Sequence, residues 1–208
     1  AISYKYNLPD QINKYDEAFE QLSNALLDNN FDFHYGDEII MENHAMVENG
    51  RWFIGEHSYS CVIIPPSLNV TQSTYKLLEE FIRQEGKIIS IYPYPTLIQG
   101  VESDLSALGF GKKVMSVNEC IKELDKVYTD KISIKDSISG RPAKGVWHEY
   151  RYDENAEYIN IINKSEHKTQ SLNVSFKAVN SPMLVDLMSG EQYLLPVTMK
   201  DDTASLDI

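Results

Sequence analysis

Positive charge is scarce in this chain: 19 lysines and arginines stand against 31 aspartates and glutamates, a net charge of −12 over 208 residues. Such a surface repels phosphate backbones and no basic stripe interrupts it, so nucleic acid and an anionic membrane surface are both excluded as partners. Long hydrophobic runs are missing as well, and no stretch approaches the roughly 20 apolar residues that cross a bilayer. The opening residues, Ala1 to Pro9, lack the basic and apolar regions of a signal peptide, and the expectation is a cytoplasmic chain. Cysteine is rare. Cys61 and Cys120 make no disulfide framework, and both are expected to be reduced core residues.

What the chain does have is material for a core, with 42% apolar and 11% aromatic residues, which rules out a disordered polymer. The strongest pattern is an apolar strand, Tyr59 to Ser67, followed by a helix, Thr71 to Glu85. Leu77, Leu78, Phe81 and Ile82 form one helical face, Thr71 or Ser73 can cap it, and Gly86 is the expected stop. Lys87 to Tyr92 is a second buried strand, ended by Pro93 and Pro95, so the three elements make a right-handed crossover.

Upstream, residues 10–28 form an amphipathic helix on Ile12, Tyr15, Phe19, Leu22, Leu26 and Leu27, capped by Asp10. Phe31 to Ile40 is expected to be extended with a turn at Gly36, and Asn49-Gly50 predicts a hairpin between Ala45–Val47 and Arg51–Ile54. Weaker patterns mark a helix at Asp104 to Leu108, a strand at Val114 to Val117 and a helix at Glu119 to Tyr128.

After about residue 130 the grammar changes to short strands separated by polar turns, at Lys131–Lys135, Val146–Tyr152, Tyr158–Asn163 and Leu172–Ala178. Met183–Leu187 and Gln192–Leu195 flank the turn signal Ser189-Gly190. The expected fold class is therefore α/β: a flavodoxin/amidotransferase-like parallel-sheet domain at residues 1–130, then a small antiparallel β-sandwich at 131–208. The strand pattern is still running at Ala204 to Ile208, which is read as a sign either that a parent chain continues or that a short edge was cut.

A ligand site in such a sheet lies at the carboxyl end of its strands. Here that end is Pro65-Pro66-Ser67, with neither glycines to wrap a phosphate nor a nucleophile on a tight turn. Cys61 starts its strand between Ser60 and Val62, and the proline before Ser67 removes an oxyanion donor, so both are expected to be structural. Asp32, His34, Asp37, Glu38 and Glu42 form an acidic run whose spacing fits no metal-binding loop; it is taken as a solvated face, with no metal and no cofactor expected. Trp147, Tyr150 and Tyr152, with Tyr158 nearby, are the candidates for carbohydrate contact, because aromatic faces stack on sugar C–H groups. Alternation puts His148, Tyr150 and Tyr152 on one face and Trp147 with Arg151 on the other, so one set must be core. Arg151 is expected to pair with a carboxylate such as Glu149 or Asp186. Ile2, Tyr4, Tyr6 and Leu8 alternate like an apolar edge strand, and together with Trp52-Phe53 they are the expected surface for homo-oligomer contact.

This two-part grammar resembles the region downstream of the catalytic barrel in large glycoside hydrolases, most closely the α-L-rhamnosidase type of family 106. The segments carrying the likeness are Asn30–Phe33 with Gly36–Glu38, Tyr59–Ser67, Leu77–Gly86, Lys87–Tyr92, His148–Arg151, Tyr158–Asn163 and Asp186–Gly190. The first domain also looks like the glutamine-amidotransferase-like module that mediates trimers in family-42 β-galactosidases. The resemblance implies a bacterial accessory region whose partners are the parent's catalytic barrel, further copies of the chain and carbohydrate. In those families the catalytic carboxylates belong to the barrel, so no catalytic role carries over to any residue here.

Overall fold

The structure, a computed structural model, describes residues 9–103, 105, 111–128, 132–178 and 182–208. The edge strand expected at Ile2–Leu8 lies outside them, as does the helix expected at Asp104–Leu108 except for Leu105. The fold is mixed α/β, with small parallel and antiparallel sheets and few helices. The chain divides into two compact units; the first holds residues up to Ala25 and His34–Val127, the second Leu26–Phe33 and Tyr128–Ile208.

The amphipathic pattern forms helix α1 (Pro9–Asp28), of which the part up to Ala25 belongs to the first unit. The segment after it is extended only as far as Asp37. The Asp37 carboxylate accepts the N–H groups of Ile39 and Ile40 and so starts a second helix, α2 (Glu38–His44), where an extended run was expected. The predicted hairpin forms between β1 (Ala45–Glu48) and β2 (Arg51–Ile54), with Asn49 and Gly50 both left-handed at φ 51° and 71° as its tight turn requires.

The apolar run from Tyr59 is not one strand. β3 (His57–Tyr59) continues the antiparallel sheet by pairing with β2, and the chain breaks at Ser60. β4 (Cys61–Ile64) then opens a parallel sheet. β5 (Asn69–Val70) belongs to a small separate sheet with β7 (Leu97–Ile98) and β8 (Val101–Glu102), while β4 pairs with β6 (Lys87–Ile91) and β6 with β9 (Lys112–Val114). The crossover helix α3 (Gln72–Arg83) starts at Thr71, whose hydroxyl accepts the Thr74 N–H.

Its stop differs from the simple expectation. Glu85, not Gly86, takes the left-handed conformation at φ 63°, and the Gly86 N–H donates back to the Phe81 carbonyl at 2.7 Å. Glycine is needed at 86 for space: a Cβ there would lie 2.4 Å from the Phe81 ring. Gly86→Ala is accordingly expected to cost about 1–3 kcal/mol by overpacking, read as a lower denaturant midpoint.

Phe81 sits at the centre of the first core, fully enclosed and edge-on to Trp52 at 5.6 Å, with Met41, Ile64, Leu78, Ile88 and Leu105 around them. Trp52 is only 2% exposed and Phe53 is half-buried, because the β2 pleat turns Trp52 into this core; the Ile2–Leu8 part of the expected docking surface lies outside the described residues. The last helix, α4 (Val117–Leu124), begins earlier than predicted because Ser116 accepts the Glu119 N–H while Glu119 reaches back to the Met115 N–H.

The second unit is built of antiparallel sheets. β10 (Ile132–Asp136), β13 (Leu172–Lys177), β17 (Thr203–Asp207) and β16 (Thr198–Lys200) line up in the order β10-β13-β17-β16. Two hairpins accompany them, β11 (Val146–Tyr152) with β12 (Glu157–Asn163), and β14 (Met183–Val185) with β15 (Gln192–Leu194). Ile132, Ile134, Val146, Leu172, Val174 and Leu206 form its core, with Tyr150, Ile159 and Ile161 of the β11–β12 hairpin packed against it.

Leu26–Phe33 joins this second unit through polar contacts. The Asn30 Oδ1 accepts the Ile134 N–H at 2.9 Å, the Asp28 Oδ1 accepts the Gly145 N–H at 3.0 Å, and the Phe31 and Tyr128 rings meet edge-on at 5.6 Å. These side-chain bonds to distant backbone leave no periodicity in the sequence, so the segment's grouping with the second unit is not visible there.

Candidate functional site

The strands β4, β6 and β9 end at Ile64, Ile91 and Val114, and a shallow cleft of about 470 Å³ opens there. Ala18, Gln21, Pro66, Tyr92, Met115 and Asn118 are among its lining residues. Among the described residues, no cysteine, histidine, lysine or carboxylate lines it. Next to it, the Ser67 N–H donates to the Pro93 carbonyl at 3.1 Å, and the Ser67 hydroxyl is enclosed without a hydrogen-bond partner among the described residues.

Cys61 lies at the wrong end of the sheet. It opens β4, so the four-residue strand separates it from the cleft by about 10 Å. Burial pushes its thiol up to about 11, against a smaller downward pull from Lys87, its neighbour in register on β6. Cys120 on α4 is fully enclosed and is pushed up to about 12, first by burial and then by Cys61. Both are protonated thiols at neutral pH, which is the inert state.

The acidic run is dispersed among structural tasks. Asp37 caps α2, and Glu38 accepts both the backbone N–H and the hydroxyl of Thr71, at 2.8 and 2.9 Å, bracing the start of α3. His34 Nδ1 lies 2.8 Å from the Tyr59 hydroxyl and its ring is 5.2 Å from that of His57, a pairing the sequence reading missed. The only available sign of it was the alternation of His57 and Tyr59 along one strand. Asp32 belongs to the second unit, and Glu42 is exposed on α2.

The aromatic candidates divide between two faces of β11. Val146, His148 and Tyr150 share the core side, where Tyr150 and Tyr152 stand with ring centres 6.1 Å apart; Tyr152 is 73% exposed at the strand end. Burial, then the Glu157 carboxylate, pushes the Tyr150 hydroxyl upward. Trp147 stands on the opposite face with Glu149 and Arg151, and the Arg151–Glu149 pair expected from the sequence forms at 2.6 Å. Sequence reasoning passed over Asn160 and the Asp153–Tyr158 bond at 3.0 Å, which complete that face.

His148 carries a pH signature. Burial pushes its imidazole below the ordinary value of 6.5, with a smaller opposing pull from Asp32. The unfolded chain therefore binds the proton more readily, so this contribution is complete above the ordinary value and is lost as pH falls from there towards the folded value. The denaturant midpoint of the wild-type protein is expected to drop further between pH 7 and pH 5 than that of His148→Gln.

No protein-family model and no curated protein matches the sequence. Among solved structures, the apo exo-carrageenase GH42 from Bacteroides ovatus matches with a TM-score of 0.56 at 17% identity, covering 92% of this chain and 26% of that one. The chain thus spans about a quarter of that enzyme's length, and the likeness is one of fold.

Proposed function

We propose that this chain is a non-catalytic accessory region of a glycoside hydrolase, placing a catalytic barrel outside the chain or holding copies of the enzyme together. The observation that carries this reading is the shared fold over 92% of the chain with only 26% of a glycoside hydrolase. The cleft at the carboxyl end of the parallel sheet, lined without thiol, imidazole or carboxylate among the described residues, agrees with it. Within this reading the first unit is a flavodoxin/amidotransferase-like domain and the second a small sandwich. The neighbour favours the family-42 side of the resemblance over the rhamnosidase side.

The rival is a stand-alone amidotransferase-like hydrolase using Cys61. Iodoacetamide separates the two. Cys61 is expected to react slowly in the native protein at neutral pH and fast only in denaturant, as a buried protonated thiol does. Fast native labelling of Cys61 would contradict the accessory reading.

A further inference from the structure

The outer face of the β11–β12 hairpin is furnished like a recognition surface. Register sets Trp147 opposite Ile162, Glu149 opposite Asn160 and Arg151 opposite Tyr158, while Val146 and Tyr150 on the other side pack with the core. Glu149 stands at its centre, accepting from Arg151 at 2.6 Å and from the Asn160 amide at 3.3 Å. Tyr158 is half exposed beside them, its hydroxyl fixed on Asp153. At the other end the Lys164 ammonium lies 3.8 Å from the centre of the Trp147 ring, and the indole N–H is enclosed without a hydrogen-bond partner among the described residues. An orphan donor is unfavourable, so a bond offered to it on binding is worth more than the exchange of one partner for another.

Charge selects the ligand. Arg151 is already committed to Glu149, and an anion would meet Glu149 and Asp153 within a chain of net charge −12. A cation would meet Arg151 and Lys164. An uncharged polyol with apolar faces avoids both penalties: its C–H surfaces stack on the aromatic rings, and its hydroxyls both donate to Glu149 and accept from Asn160.

We propose that this face binds a neutral oligosaccharide, with sugar rings on Trp147 and Tyr158, hydroxyls on Glu149 and Asn160, and Lys164 moving off the indole to admit them. Tyr150 and Tyr152, on the other side of the hairpin, take no part. The accessory-region reading enters only in the choice of sugars; a chain that binds none loses this site and keeps its accessory role.

Calorimetric titration of the 208-residue chain with neutral gluco-, galacto-, manno- and xylo-oligosaccharides tests it, with carrageenan oligosaccharides as the charged arm. Because Trp147 is half-buried, the exposed Tyr158 and Asn160 carry the mutational test. Saturable heat with at least one neutral series is expected, weakened about tenfold by Tyr158→Ala and by Asn160→Ala and unchanged by Tyr152→Ala. No heat with any neutral series, binding of the sulfated sugars alone, or binding that survives Tyr158→Ala and fails in Tyr152→Ala would overturn it.

Discussion

Phe81→Ala is expected to remove about 3–5 kcal/mol of stability, the largest single effect of any substitution considered. The ring is fully enclosed, it stands edge-on to Trp52 at 5.6 Å, and it touches the space that Gly86 leaves open. Truncation forfeits the transfer free energy of the ring and leaves a cavity, because α3 is held at both ends by the Thr71 cap and by the Gly86 N–H on the Phe81 carbonyl. Equilibrium denaturation followed by tryptophan emission reads the change directly, since Trp52 is the ring's neighbour. A loss below about 1 kcal/mol would mean that Phe81 is not packed as described.

The second large effect belongs to Asn30. It is 5% exposed and left-handed at φ 60°, and its Oδ1 accepts the buried Ile134 N–H. Asn30→Ala leaves that N–H unpaired, at about 1–3 kcal/mol, and puts a Cβ residue without a local bond into the left-handed region, at roughly 1–2 kcal/mol. A total of about 2–5 kcal/mol is expected in chemical denaturation. Asn30→Gly separates the parts: it relieves the backbone strain and leaves the lost hydrogen bond. Equal losses in the two variants would show that the bond alone matters, and no loss in either would detach Leu26–Phe33 from the second unit.

The elements readable in the sequence were those with dense periodicity. Leu77, Leu78, Phe81 and Ile82 announced α3, Asn49-Gly50 announced the β1–β2 turn, and the apolar pattern of Tyr158–Asn163 announced β12. Elsewhere a local hydrogen bond decided the outcome and left no period. The Asp37 carboxylate made a helix out of an apparently extended segment, and the break at Ser60 divided one apolar run between an antiparallel and a parallel sheet.

Long-range polar ties were invisible for the same reason, as with Asn30 and Ile134, 104 positions apart. For the aromatic candidates, alternation showed that Trp147 and Tyr150 oppose each other but not which side meets the core. The packing of Val146 and Tyr150 answers that, and it moves attention from Tyr150 and Tyr152 to the Glu149–Asn160 face.

The accessory reading is tested most directly by incubating the 208-residue chain with a panel of aryl-glycosides and with glutamine, and following release of phenol and ammonia. The expected result is no release above buffer for any substrate, because among the described residues no thiol, imidazole or carboxylate lines the carboxyl-end cleft and Cys61 is a buried, protonated thiol at the far end of its strand. Sustained turnover of any of them, abolished by Cys61→Ser or by another single substitution in this chain, would contradict it.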